Sequence, residues 1–279
     1  MSRKRRILAM ALLASLLLAG VSAAQRGWRG GWRGSADYDW KYVNRGGVPE
    51  WDVPANFPGD VFTFVRIKYT SSGYGYGWQT DFPDSDLNFS LRLQQLTSLE
   101  VNPQPVILEL TDPELFNYPF VYMIEPGGLH FHEEEVSALR RYLLNGGFLL
   151  VDDFWGEREW AVFYEQIKRV FPNRSVDDVP LSHEIFHCVY DLKEKPQIPS
   201  IHAWGGRGSN VTWERWDAQE PHYRAIWDDD GRMMVFICHN TDLGDGWERE
   251  AADPGYFEEF SVKKAYPMGI NIVTYAMTH

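Results

Sequence analysis

The sequence has few cysteines and few basic residues, and each shortage excludes a class of protein. Its 279 residues include only Cys188 and Cys238, which excludes a disulfide-rich scaffold. Both lie in apolar stretches, so they form either one disulfide or two buried thiols. Lys and Arg number 27 against 39 Asp and Glu, and because the first 34 residues hold seven basic and no acidic residues, the rest carries −19. So acidic a domain repels phosphate, and we expect no nucleic-acid partner.

The chain has one long apolar run, at its N-terminus. Residues 7–21 are uncharged and mostly apolar, but they are fewer than the roughly 20 residues that a membrane-spanning helix needs. Basic residues 3–6 precede the run and small residues 22–24 follow it. This pattern predicts a signal peptide over residues 1–24 and an exported protein, either periplasmic or secreted. The alternative is an uncleaved anchor, which would be the only contact of the chain with a membrane.

The remaining sequence divides into a low-complexity segment and a domain. Residues 25–34 repeat Gly, Trp and Arg, and residues 37–59 contain three prolines. Residues 25–58 are therefore predicted to form an arm and an extended lead-in. The chain is 44% hydrophobic and 15% aromatic, which excludes a disordered protein. We predict a single folded domain over residues 59–279.

Short apolar runs alternate with amphipathic stretches through this domain. Residues 61–69, 105–110, 120–124 and 148–151 have the length and composition of strands, and residues 223–239 are typical of a hairpin. Residues 84–97, 157–171, 266–279 and a stretch from residue 133 to the glycines at 146 and 147 indicate helices. The alternation predicts an α/β fold, a flavodoxin-like, mostly parallel open sheet with helices on both faces.

Polar side chains follow three of the predicted strands, at the end where ligands bind in such sheets. Carboxylates in this position can hold a hard cation or act as a general base. We predict ligand-binding roles for Glu125, Trp155, Asn240, Asp242 and Asp245. Catalytic candidates are Asp152, Asp153, His183 and His239. The competing interpretation is that these residues cap helices and stabilise turns.

Residues 183–187 read His-Glu-Ile-Phe-His, which matches the HExxH pattern of zinc proteases. On a helix His183 and His187 would share one face and bind a metal, with Glu214 as the best-spaced third ligand. Pro180 and the strand-like residues after the motif instead favour a turn whose histidines form local hydrogen bonds. We therefore assign no metal and keep His183 and His187 only as alternative metal ligands.

Residues 73–77 contain three glycines in a GxGxG pattern rather than the GxGxxG of dinucleotide-binding folds. No cofactor is therefore predicted. The tyrosines between the glycines predict either a mobile lid or a plain flexible loop.

Six ordered stretches together resemble the domain-of-unknown-function family 4159 of exported bacterial proteins. They are FVRIKY (64–69), TDPELFNYPFVYMIEPGG (111–128), LRRYLLNGGFLLVDDFWG (139–156), HEIFH (183–187), CHNTDLGDGWE (238–248) and YPMGINIVTYAMTH (266–279). The resemblance implies a class I glutamine-amidotransferase-like fold, in which a sharp turn after a strand presents the nucleophile. Asp152 and Asp153 stand where that fold would place a catalytic cysteine, and neither cysteine lies in a G-x-C-x-G elbow. The resemblance therefore implies the fold without amidotransferase chemistry.

Two functional hypotheses follow. The first is an exported cell-envelope protein whose domain binds a small-molecule ligand or a protein partner of the envelope. The alternative is a hydrolase, with or without metal assistance, that uses the strand-end carboxylates and histidines.

Overall fold

The computed structural model describes residues 44–53, 60–71 and 77–279. The predicted signal peptide, the Gly/Trp/Arg repeat and most of the glycine-rich loop lie outside these residues. Within the described ranges, no helix is both long enough and apolar enough to cross a membrane.

Continuous apolar runs form the centre of the sheet. The strands are β1 (Val61–Phe62), β2 (Val65–Lys68), β3 (Glu100–Val101), β4 (Val106–Glu109), β5 (Phe120–Ile124), β6 (Phe148–Asp152), β7 (Asp177–Asp178), β8 (His222–Trp227) and β9 (Met233–His239). Every residue of β5, β6 and β9 is buried, as expected for strands covered on both faces.

Seven of these strands form one sheet, in the order β4-β2-β5-β6-β9-β8-β7. The first five are parallel, and β8 and β7 extend the sheet with antiparallel pairs. The parallel strands follow the 2-1-3-4-5 order of a flavodoxin-like fold. The predicted fold class is therefore confirmed.

Helices connect and cover the strands. They are α1 (Asp84–Leu96), α2 (Glu133–Leu144), α3 (Gly156–Val170), α4 (Leu243–Glu248), α5 (Pro254–Tyr256), a π-helix (Phe257–Ala265) and α6 (Tyr266–Thr278), with 3₁₀ turns at Gly77–Gln79, Pro113–Asn117, Pro126–Gly128 and Glu184–Phe186. The acidic first turn of α2 suits the positive helix N-terminus, and Glu135 accepts the His132 backbone N–H at 2.7 Å. Gly146, with a φ of 99°, follows the helix in the left-handed conformation that glycine adopts without strain.

The two faces of the sheet bury separate apolar clusters. Side chains such as Phe64 and Phe236 pack with residues of α1, α4 and α6 on one face. Side chains such as Val65 and Val235 pack with α2 and α3 on the other. Because side chains alternate along a strand, each strand serves both clusters. The helices thus cover both faces of the sheet, and the carboxyl ends of its five parallel strands lie at one edge.

Two expectations differ from the structure. Residues 61–69 form two short strands, because Phe62 pairs with Val101 whereas Val65 pairs with Val106 of a different strand. The cysteines are unpaired, and Cys238 is buried whereas Cys188 is exposed, with its Sγ donating to the Asn271 carbonyl at 3.2 Å. The expectation of either a disulfide or two buried thiols is therefore wrong for Cys188.

Candidate functional site

The crevice of the fold lies where the strand order reverses. The connection that leaves β2 runs to β4 on one side, whereas the connection that leaves its neighbour β5 runs to β6 on the other side, so the crevice lies between the carboxyl ends of β2 and β5. Acidic and amide side chains occupy this carboxyl edge: Glu125 after β5, Asp153 after β6, and Asn240 and Asp242 after β9. Asp81 joins them from the segment that follows β2.

Two groups of three carboxylates meet at this edge. In the first trio, Asp81, Asp153 and Asp242, one carboxylate oxygen of each residue lies within 4.8 Å of those of the other two. In the second trio, Asp81, Asp245 and Glu248, the same limit holds. Asp81 belongs to both, so it links the two groups.

Charge compensation separates the two trios. In the second, the Arg249 guanidinium lies 2.9 Å from Asp245 Oδ1 and 2.7 Å from Glu248 Oε2. In the first, no Lys, Arg or His of the described ranges forms an ion pair with Asp153 or Asp242. Asp81 Oδ2 is buried and has no hydrogen-bond partner among the described residues. A buried carboxylate oxygen without a partner is costly. Because both trios share Asp81, the lack of an ion pair at Asp153 and Asp242 is what makes the first trio the candidate for binding a cation.

The environment raises the pKa of the carboxyls of the first trio. Burial raises the pKa of Asp153 well above its usual range, and the nearby Glu125 and Glu214 raise it further. Burial and then the charge of Asp153 raise the pKa of Asp242, and burial and then Glu248 raise that of Asp81. In each case the charged form is disfavoured by lost hydration and by like charges.

Carboxyls around the trio titrate close to neutrality. Burial raises the pKa of Glu125 to about 7, although the Gly77 N–H donates to its Oε2 at 2.6 Å. Burial likewise raises the pKa of Asp152 and that of Glu248 to about 7. A cation bound among these groups would favour their ionised forms and so release protons.

Backbone strain is concentrated at the same edge. Within the described residues, four non-glycine residues have left-handed φ angles: Asp81 (60°), Glu125 (49°), Asp153 (55°) and Asn240 (62°). The left-handed conformation is uncommon for residues with a Cβ. Glu125, Asp153 and Asn240 directly follow strands, whereas Asp81 lies in the turn before α1, and strain of this kind clusters at functional sites.

Gly244 allows Asp81 to approach the first turn of α4. A Cβ built on Gly244 would lie 2.5 Å from Asp81 Oδ2 and 2.9 Å from the Tyr122 hydroxyl oxygen. Both distances are shorter than van der Waals contact. A side chain at this position would therefore displace Asp81, which links the two trios.

Asp152, a catalytic candidate, holds the start of α4. Its Oδ2 accepts hydrogen bonds from the N–H groups of Leu243 at 2.9 Å and Gly244 at 3.1 Å, and from the Tyr122 hydroxyl at 3.1 Å. Its Oδ1 is buried and has no hydrogen-bond partner in the described part of the chain. Asp152 thus positions α4 beside the first trio, while Asp153 supplies a carboxylate to the trio itself.

The predicted ligand-binding residues divide between the trios and their support. Asp242 belongs to the first trio and Asp245 to the second, and Asp242 Oδ1 accepts the Asp245 N–H at 2.6 Å. Trp155 is buried, and its Nε1–H donates to Asp153 Oδ1 at 2.9 Å. Asn240 accepts the Gly156 N–H at 2.9 Å and donates to the Glu220 carbonyl at 2.9 Å. Trp155 and Asn240 therefore stabilise the loops that carry the trio carboxylates, through hydrogen bonds to Asp153, Gly156 and Glu220.

His239 lies at the end of β9 with both ring nitrogens bonded. Arg224 Nη1 is 3.1 Å from its Nδ1, and its Nε2 is 3.2 Å from the Gly156 carbonyl oxygen. Because arginine only donates and a carbonyl only accepts, Nε2 carries the proton. Burial lowers the pKa of His239 to about 3, so the ring is neutral at physiological pH.

The HExxH segment lies near the amino end of β9, at the edge of the sheet opposite the trios. It forms the short 3₁₀ turn Glu184–Phe186, on which two histidines do not share a helix face. The ring of His183 packs 5.5 Å from that of Trp227, whose partner Met233 begins β9. His187 bonds to Asp191 at 2.7 Å and to the Leu181 carbonyl at 2.6 Å. The structure brings neither histidine to the carboxylate trios.

Three acidic residues of the crevice were not predicted as site residues. Asp81 and Glu248 complete the trios, and Glu214, considered only as a zinc ligand, lies close enough to Asp153 to raise its pKa. Glu214 Oε1 accepts the Ser200 N–H at 2.6 Å, which fixes its long loop at this edge. The position of Asp81, four residues after the glycine-rich loop, was the one feature of the sequence that could have predicted its role.

Comparison with known proteins gives a family. A family model described as "Domain of unknown function (DUF4159)" matches residues 63–277. No curated protein matches the chain.

Proposed function

The chain belongs to the DUF4159 family, and we propose that it is an exported cell-envelope protein that binds a divalent cation at the first trio and, through it, a small ligand. The observation that carries this proposal is the arrangement of Asp81, Asp153 and Asp242. One carboxylate oxygen from each lies within 4.8 Å of the other two, and Asp81 Oδ2 is buried without a hydrogen-bond partner in the described ranges.

The chemistry of the trio favours a hard cation. All its donors are carboxylate oxygens, which Ca²⁺, Mg²⁺ and Mn²⁺ prefer, and nitrogen or sulfur donors are absent from the group. Such ions take six or more oxygen ligands. Three carboxylates therefore leave coordination positions for water or for the oxygen atoms of a ligand in the crevice.

The charge of the crevice restricts the ligand. Glu125, Glu214 and Glu248 surround the trio, so one dication leaves an excess of negative charge. A free anion would be repelled by this excess. A neutral ligand with hydroxyl or carbonyl oxygens is the class that fits a cation held in such a site.

A metal-assisted hydrolase is the second candidate, and Glu125 is the observation that favours it. The pKa of this carboxyl is raised to about 7 by burial, close to the optimum for a general base. Asp153 lies on a strained strand-to-helix turn, the kind of turn that presents nucleophiles in other α/β enzymes. Mn²⁺-dependent hydrolysis of p-nitrophenyl acetate that is lost in Glu125→Gln would favour this candidate over binding alone.

Calorimetric titration tests the binding function. Ca²⁺, Mg²⁺ and Mn²⁺ are added to chelator-treated protein and to its Asp153→Asn variant. Asparagine tolerates the left-handed backbone of residue 153, and its amide oxygen can still accept from Trp155, so the variant loses charge and little else. We expect one strong site in the parent and at least about 100-fold weaker binding in the variant.

Asp191→Asn is the matched control. Asp191 is an exposed carboxylate that pairs with His187 and Lys193 away from the trios. This variant should bind the cation as the parent does. A parent protein that binds none of the three ions, or equal affinity in the parent and Asp153→Asn, would contradict the proposed function.

A further inference from the structure

Strand β2 carries a charged side chain at a position that faces the apolar core. Phe64 and Arg66 point to the same face of the sheet, since side chains alternate along a strand, and Arg66 pairs with Tyr122 of β5. Arg66 is fully buried, with its guanidinium carbon 5.2 Å from the centre of the Tyr122 ring. A buried arginine is rare unless every donor finds a partner.

All five N–H groups of Arg66 are bonded, and every acceptor lies between residues 78 and 86. Nη1 donates to the carbonyl oxygens of Trp78 and Thr80, each at 2.9 Å. Nε donates to Asp86 Oδ2 at 2.9 Å, and Nη2 donates to Ser85 Oγ at 2.9 Å and to Asp86 Oδ1. A single side chain thus holds both ends of the turn formed by residues 77–86.

Asp81 is the centre of this turn. Its φ of 60° is held between the two parts of the chain that Arg66 binds, and its carbonyl accepts the Ser85 N–H at 2.9 Å. The guanidinium charge also opposes the rise of the Asp81 pKa that burial causes. Arg66 therefore fixes the position of Asp81 and favours its ionised form.

We infer that Arg66 is the positioning residue of the cation site, acting through Asp81 on the geometry of the first trio. This inference rests on the proposed cation-binding function. Arginine suits the role because its planar fork reaches four acceptor groups at fixed angles, whereas a lysine ammonium is a point charge with three donors.

The relative affinity for Mg²⁺ and Ca²⁺ depends on the geometry of the first trio. Mg²⁺ demands a near-ideal octahedron at short distances, whereas Ca²⁺ accepts irregular arrangements. A displaced Asp81 should therefore weaken Mg²⁺ binding more than Ca²⁺ binding. Loss of stability alone lowers the folded fraction equally for both ions and leaves the ratio of their affinities unchanged.

The test is calorimetric titration of Ca²⁺ and Mg²⁺ into the parent and Arg66→Lys, at a temperature where circular dichroism shows each to be folded. Lysine keeps the charge and removes the fork. We expect Mg²⁺ affinity to fall at least about 10-fold and the ratio of Ca²⁺ to Mg²⁺ affinity to rise. Leu139→Ala, a cavity variant in the opposite core cluster, is the control, and its ratio should equal that of the parent.

Ser85→Ala serves if Arg66→Lys does not fold. It removes one acceptor of Nη2 and should move the affinity ratio in the same direction by a smaller amount. If Arg66→Lys folds and its ratio of Ca²⁺ to Mg²⁺ affinity is unchanged, the positioning role is overturned and the cation site is not. If Arg66→Lys does not fold, an unchanged ratio in Ser85→Ala overturns the positioning role in the same way. Failure of the parent to bind either ion would overturn the proposed function, and the positioning role with it.

Discussion

The two carboxylate trios share Asp81 and the same edge of the sheet, yet they differ in how their charge is balanced. Asp245 and Glu248 lie beside Arg249, and Asp245 Oδ2 also accepts the Ile201 N–H at 2.6 Å. Asp153 and Asp242 form no ion pair with the described residues, and burial and the charges of neighbouring carboxylates raise their pKa values. The comparison teaches that clustering alone does not distinguish the two trios, and that the lack of a compensating cation is the difference that supports the proposed site at the first.

The largest expected effect is a dependence of the stability of the folded protein on pH. Carboxyls whose pKa is raised in the folded state bind protons more tightly when folded. For Glu125 and Asp152, which lie beside the first trio, this contribution to stability is complete below about pH 4 and is lost as the pH rises through their folded-state pKa of about 7. The thermal midpoint of chelated protein should therefore fall between about pH 5 and about pH 8.

Divalent cation should restore much of the stability that is lost at the higher pH, because it binds the ionised trio. Differential scanning calorimetry of chelated and Ca²⁺-loaded protein measures both midpoints. A midpoint that rises with pH in the chelated protein would contradict the raised pKa values of Glu125 and Asp152 and, with them, the excess of negative charge beside the first trio.

Removal of Arg249 should have the next largest effect. Arg249→Gln leaves Asp245 and Glu248 without their cation, and breaking a partly buried pair of this kind costs about 2–3 kcal/mol. Urea unfolding at neutral pH measures the loss. The variant should also bind a second divalent cation, because its second trio then resembles the first. A stability equal to that of the parent would remove the distinction between the trios.

Gly244→Ala should have the smallest effect, and it acts on both trios through Asp81. The added Cβ would meet Asp81 Oδ2 at 2.5 Å, and overpacking of this kind costs about 1–2 kcal/mol. Cation affinity should fall as well, because Asp81 must move. Gly231→Ala provides a control, since its Cβ meets nothing within 4 Å and only the strain of its φ of 83° remains. Equal cation affinity in both variants would show that the approach of Asp81 to α4 is unimportant.

The sequence predicts the sheet well because buried parallel strands are read from continuous apolar runs. Residues 120–124 and 148–151 correspond to β5 and β6, and the carboxylates that follow them reach the crevice because parallel strands end at one edge. Asp153 and Asp242 were thus predictable as neighbours in space. The division of 61–69 into two strands was not, because it depends on which distant strands are paired.

The chemistry of the individual residues was less predictable. Asp152 and Asp153 are adjacent in sequence, but alternation turns one towards the N–H groups of α4 and leaves the other in the trio. Asp81 depends on the bonds of Arg66 to the turn after β2, and a strand pattern does not show them. The HExxH match shows why spacing alone does not establish a metal site, since the pattern binds metal only on a helix and the chain forms the predicted turn with locally bonded histidines there.

Anomalous scattering from a crystal soaked in Mn²⁺ tests the central claim most directly, because it distinguishes the two trios by position. The account predicts a single strong peak among the carboxylates of Asp81, Asp153 and Asp242, with Arg249 still paired to Asp245 and Glu248. No peak at the first trio, or a peak at the second trio alone, would contradict it.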